Sequence, residues 1–168
     1  QMALNDPGDA VFEANKTGNG TFVTAAVAGN TGAGIVSSGS VVDATLLTGD
    51  NYSVTFNIVA GVTSYDVVDT TTGTTVSSGN AYTSGQSISF DGLQFDVRGA
   101  PANGDQFTVA PSTNQSIFTT LKNLIGVLNS SGTGATANAN LTNGLTAANN
   151  NIDHALDNVL SIRASIGA

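Results

Sequence analysis

The sequence predicts an α+β fold: an antiparallel β domain, sandwich or barrel-like, carried on an antiparallel α-helical hairpin that belongs to a longer coiled-coil-like bundle. Two patterns predict it. Between residues 35 and 110, short β-branched and aromatic runs alternate with glycine-containing turns at the interval of an antiparallel sheet. From residue 140 onward, Leu141, Leu145, Ala148, Ile152, Ala155, Val159, Ile162 and Ile166 recur in steps of four and three, the apolar seam of a long helix. The expected division is a lead-in from a helical core over residues 1–20, a β-rich outer domain over 21–110, and the helical hairpin over 111–168.

The first residues contain the turn cluster Asn5, Asp6, Pro7 and Gly8, and a second turn is expected over residues 16–20. Residues 21–27 have the β-branched and aromatic content of a strand, and 29–34 read as loop. Tyr52, Val54, Phe56 and Ile58 alternate with Ser53, Thr55 and Asn57, so one face meets a core and the other meets water. Further strands are expected over 65–68, 75–77, 88–90, 93–97 and 107–109. Their separators are Thr72-Gly73, Gly79-Asn80, Asp91-Gly92 and Asn103-Gly104. Asp91-Gly92 is a two-residue hairpin signal, because a type I′ turn needs positive φ at both central positions. Residues 43–47 are read as one helical turn.

Pro111 is expected to end the β region, with Ser112 or Thr113 capping a helix whose first turn holds Asn114 and Gln115. Ile117, Leu121, Leu124 and Leu128 form the stripe of that helix, widened by Phe118 and Ile125, and residues 129–136 supply the loop. The following helix, starting at residue 140, would be roughly 40 Å long at about 1.5 Å per residue. The shorter helix covers only its first part, so the seam from Ile152 to Ile166 is expected to lack a partner within this chain. One set of side chains is therefore the candidate assembly surface: Ile117, Leu121, Leu124, Leu128, Leu141, Leu145, Ile152, Val159, Ile162 and Ile166.

Composition narrows the function. Charged residues are 10% of the 168 and the net charge is −8, against a charged fraction of roughly 25% in ordinary globular proteins, so the surface is polar but largely uncharged. The four bases, Lys16, Arg98, Lys122 and Arg163, are scattered. Nucleic acid and anionic membranes both require clustered bases and are excluded as partners. There is no cysteine, which removes disulfides and thiolate metal sites. No apolar run approaches the roughly 20 residues of a spanning helix.

Catalytic patterns are missing as well. The single histidine, His154, is placed off the seam as an exposed helix residue, and no G-x-S-x-G elbow or phosphate-cradling glycine motif occurs. Asp66, Asp69, Asp91, Asp96 and Asp105 sit near turns, where aspartate bonds the local backbone. Neither DVVDTTTG nor DGLQFD has the ligand spacing of a calcium loop. The Asn-X-Ser/Thr triplets are those expected by chance in so Asn- and Thr-rich a chain. The chain is accordingly read as not an enzyme, with no catalytic, cofactor or metal residues.

Two stretches resemble the bacterial flagellin superfamily, and within it the hook-filament junction proteins, the third hook-associated proteins. One is ISFDGLQFDVRGAPANGDQFTVAPSTNQSIF over residues 88–118, which is similar to their passage from an outer β domain into core helices. The other is ALDNVLSIRASIGA over residues 155–168, where Ala155, Leu156, Val159, Arg163, Ala164, Gly167 and Ala168 match the recurrent residues of the carboxy-terminal core helix.

The resemblance implies a structural subunit of the bacterial flagellum, extracellular, adapting hook to filament. Its partners would be copies of itself and neighbouring axial proteins (a hook-associated protein and flagellin), with an export chaperone also possible. Family members carry further helices on both sides, so the chain is expected to be a truncated fragment. The residues leave two other readings open, a secreted β-rich binding module or adhesin, and a flagellin filament subunit.

Overall fold

The structure, a computed structural model, describes residues 11–130 and 132–166, and the side chain of Ile166 is not among the described ones. The turn cluster at Asn5 to Gly8 lies outside the described residues.

Eleven strands and two long helices follow one another among these residues, after a helical end at Val11 and Phe12. The strands are β1 (Asn15–Lys16), β2 (Phe22–Ala26), β3 (Ile35–Val36), β4 (Ser40–Val41), β5 (Tyr52–Val59), β6 (Val62–Asp69), β7 (Thr74–Ala81), β8 (Ser87–Phe90), β9 (Leu93–Arg98), β10 (Gln106–Pro111) and β11 (Asn114–Gln115). A 3₁₀ turn over Ala44–Leu46, capped by Asp43, fills the position read as one helical turn. The helices are α1 (Ile117–Asn129) and α2 (Ala135–Ile166).

The five-stranded sheet has the order β2-β10-β5-β6-β7, and β9 pairs with β3 and β4 on one side and with β8 on the other. All pairings are antiparallel. One core joins the two sheets: Phe22, Tyr52, Val54, Phe56, Val67, Phe107 and Val109 from the first meet Val36, Ile88, Phe90, Leu93, Phe95 and Val97 from the second. The result is a sandwich.

Alternation explains which residues point inward, since Val54 and Phe56 are fully enclosed while Ser53 and Thr55 between them remain partly open. Phe56 is the centre of the aromatic packing, with the rings of Tyr82 at 5.0 Å and Phe107 at 5.6 Å, both edge-on. At the far end Phe90 packs 4.8 Å from Tyr52. The Tyr52 hydroxyl donates to Asp91 Oδ2 at 2.8 Å; burial of the ring, with the Asp91 carboxylate beside it, pushes its pKa up to about 12.

Two tight hairpins hold the register. Asp91-Gly92 turns with φ of 44° and 76° between the paired residues Phe90 and Leu93, as the sequence predicts. A second, unpredicted one lies at Ala60-Gly61, with φ of 51° and 79°, so β5 and β6 form one long hairpin. Gly79-Asn80 is not a turn. It lies within β7, where the register shifts opposite Asp66, and the Gly79 amide donates to Asp66 Oδ1.

The helix start also differs from expectation. Asn114 and Gln115 are extended and pair with Lys16 and Asn15, and the cap is Ser116, whose side chain accepts from the Phe118 amide. Ser112 and Thr113 are instead held across the chain. Ser112 Oγ donates to the Thr17 carbonyl at 2.7 Å, and the Thr113 amide donates to Thr17 Oγ1 at 3.0 Å. These bonds and the β1–β11 pair form a two-strand neck between sandwich and helices. With 32 residues, α2 is about 48 Å long at about 1.5 Å per residue, starting five residues before the sequence suggests.

Candidate functional site

The predicted seam is divided by the structure. On α1, Ile117 and Leu124 are half-buried, but Leu121 and Leu128 are exposed, together with Phe118 and Ile125. The face packed on α2 is Thr120, Leu124 and Val127, shifted by one residue from the expected stripe at two of its positions.

The cause lies on α2, which presents Gly144, Ala147, Ala148 and Asn151 to that face. Val127 sits so close to Gly144 that a Cβ there would lie 2.5 Å from Val127 Cγ2. A ridge of leucines does not fit against this flat surface, whereas β-branched Thr120 and Val127 do. Buried Thr120 keeps its hydroxyl satisfied, accepting from Gln115 Nε2 at 2.8 Å.

Along α2, Leu141, Ile152 and Ile162 are half-buried, Leu145 and Val159 are 40% exposed, and Leu156 and Leu160 are also exposed. The side chain of Ile166 lies outside the described residues. The sequence leaves the seam from Ile152 to Ile166 without a partner in this chain, but part of the helix beyond α1 is covered. Residues of the neck reach it, and Ala155 is buried there.

Along its length α2 also makes polar contacts with the sandwich and neck. Asn143 Oδ1 accepts from the Val36 amide at 2.9 Å, and its Nδ2 donates to the Gly34 carbonyl at 3.0 Å. Asn151 Oδ1 accepts from the Gly18 amide at 3.0 Å. Asn158 Nδ2 donates to the Val11 carbonyl at 3.2 Å and to Asn15 Oδ1 at 3.1 Å. At the start of α2, Thr136 Oγ1 donates to the Thr31 carbonyl at 2.7 Å. Gly18 has a φ of 63°, and a Cβ on it would collide with the Phe22 carbonyl, so only glycine brings its amide to Asn151. His154 is half-buried beside Gly20, not exposed.

Sequence reasoning missed this set because it followed apolar residues alone. The signal was available: Thr136, Asn143, Asn151 and Asn158 recur at seven and eight residues, which places them on one side of the helix.

Among the described residues no group of His, Asp and Glu is arranged to hold a metal ion, and no helix is long and apolar enough to cross a membrane. Asp69 serves structure. The Thr72 hydroxyl, with the Thr71 and Thr72 amides, holds its carboxyl below the usual aspartate value and closes the β6–β7 turn.

The chain is thus a sandwich joined through a two-strand neck to a helical stalk, with apolar side chains on the outside of that stalk. Comparison with known proteins names the family. Residues 25–111, just over half of the chain, match the family of the D2-like domain of flagellar hook-associated protein 1. The chain belongs to the flagellar hook-associated proteins.

Among solved structures, the flagellar junction protein FlgL from Legionella pneumophila is 32% identical with a TM-score of 0.87, over 98% of this chain and 56% of that one. A structure of flagellar hook associated protein-3 from the same organism gives 33% and 0.88, over 98% and 52%. FlgL from Xanthomonas campestris gives 34% and 0.85, over 95% and 50%. The chain therefore spans about half the length of the solved proteins it matches. Among curated protein sequences, none matches.

Proposed function

We propose that this chain is the outer sandwich and part of the stalk of a structural subunit that joins hook to filament in the bacterial flagellum, working outside the cell and without catalysis. The observation that carries the reading is the agreement of nearly the whole chain, neck and stalk included, with junction proteins at more than 30% identity.

The stalk supplies the mechanism. Leu121 and Ile125 on α1, with Leu145, Val159 and Leu160 on α2, leave apolar area in water, and burying it would release on the order of 25 cal/mol per Å². Helices of the full-length subunit, of its own copies and of neighbouring axial proteins (a hook-associated protein on one side, flagellin on the other) are the surfaces that would cover it. An export chaperone would shield the same stripe before assembly. A low density of charge suits close lateral packing, because like-charged copies repel.

Deletion of the gene tests this reading. The expected phenotype is cells that carry hooks without filaments and release flagellin into the medium. Normal filaments in the deletion strain would overturn the assignment.

A further inference from the structure

We infer that the tilt of the sandwich on its stalk is set by the asparagine ladder of α2, which acts as a latch able to open about the β1–β11 neck. The inference stands apart from the assembly reading, since it concerns this chain alone.

Three observations carry it. First, the bonds from α2 to the sandwich and neck are made by neutral side chains, most of them to backbone groups: Thr136 to Thr31, Asn143 to Gly34 and Val36, Asn151 to Gly18, and Asn158 to Val11 and to the Asn15 side chain. Second, a groove of about 460 Å³ separates β2 from the helices, with the apolar Val23, Ala25, Val27 and Val127 and the polar Asn140 and Asn150 among its walls. The two bodies therefore share no continuous apolar core there. Water already has access to the groove and can take over each bond that opens, so separation strands no polar group. Third, the sandwich core is complete without the helices, because every residue of its buried cluster lies on residues 22–109. Opening the latch leaves the sandwich folded, with the neck as the only covalent link.

Neutral partners also make the latch insensitive to ionic strength, which a salt-bridged dock is not. Asn143, Asn151 and Thr136 are thus positioning residues for the outer domain, and Gly18 is the glycine that admits one of them.

Because the chain has no cysteine, spin labels can be placed at Thr75→Cys on β7 and Asp157→Cys on α2, both exposed, and their separation read by pulsed dipolar spectroscopy in the full 168-residue chain. The unsubstituted ladder should give one narrow distance distribution, unchanged by salt. Combining Thr136→Val, Asn143→Ala and Asn151→Ala should widen that distribution at least twofold while the near-ultraviolet signal of the tyrosines in the sandwich stays as it was. Asn138→Ala with Asn149→Ala, exposed asparagines of the same helix, should leave the width unchanged.

A triple variant as narrow as the parent would overturn the proposal, because the neck alone would then fix the tilt. A broad distribution in the parent would overturn it too, and so would equal broadening by the two control substitutions. If the triple variant fails to fold, Asn143→Ala alone decides the matter, with broadening expected and no change contradicting the latch.

Discussion

In the sandwich the largest apolar side chains are the best enclosed: Phe56 and Val54 are fully buried, and Tyr52, Phe107 and Phe95 nearly so. In the helical hairpin the order is reversed. Its buried residues are Ala139, Ala148, Ala155 and Thr120, while Phe118, Ile125 and Leu128 are half or more exposed. The same chain thus contains a part that encloses its aromatic core, leaving Val42, Leu46, Val59 and Val62 exposed at loops and a hairpin end, and a part that encloses chiefly small residues. The difference shows where the proposed assembly role has its surface. Large apolar side chains exposed on a regular helix are the surface the proposed assembly would cover, whereas the buried cluster of the sandwich is complete without the helices.

The largest effect should come from breaking the self-sufficient part. Phe56→Ala removes the ring around which Tyr82, Phe107 and Tyr65 are arranged, and a Phe-to-Ala change in a closed core costs about 3–5 kcal/mol. Urea titration followed by tyrosine fluorescence should show the sandwich transition shifted by that amount. A loss under about 1 kcal/mol would mean that the core is not the tight unit its burial describes.

A smaller effect is expected at the seat of the hairpin. Gly144→Val puts two methyl groups where Val127 already stands, and overpacking of this kind costs about 1–3 kcal/mol. Hydrogen exchange should show α1 amides losing protection while those of β5 and β6 keep theirs. Equal loss in both would show that hairpin and sandwich unfold as one body, removing the contrast between them.

Legibility in the sequence follows the same division. Strands β5, β8, β9 and β10 could be read because their alternation is local, Tyr52, Val54 and Phe56 against Ser53, Thr55 and Asn57, and because Asp91-Gly92 carries its own turn geometry. Ala60-Gly61 escaped because alanine is not a residue one assigns to positive φ, and Gly79-Asn80 misled because a bulge uses the same residues as a turn. The neck was illegible for a different reason. Asn114 and Gln115 read as a first helical turn until Asn15 and Lys16, about a hundred residues earlier, are known to lie beside them. On α1 two apolar stripes lie side by side, and only the small residues of α2 decide which one packs. Asn143, Asn151 and Asn158 were hidden among Asn138, Asn140, Asn149 and Asn150, since helical periodicity is usually sought in apolar residues.

The smallest effect on stability should accompany the largest effect on assembly, which makes Ile125→Ser the sharpest test of the contrast. Ile125 is 59% exposed on α1, and surface substitutions of this sort usually change stability by less than about 0.5 kcal/mol. Serine also lowers helix propensity only slightly relative to isoleucine. Thermal denaturation of this chain should therefore be unchanged within a degree or two. In the full-length subunit the same change removes a large apolar side chain from the proposed contact with neighbouring helices, where loss of a buried contact of that size is worth about 2–5 kcal/mol. Complementation of a deletion strain should then yield fewer attached filaments from a subunit that is exported and folded normally. If filaments attach at the normal frequency, the exposed stripe of α1 faces solvent in the assembled flagellum, and the surface that meets neighbours has to be sought on α2, around Leu156, Val159 and Leu160.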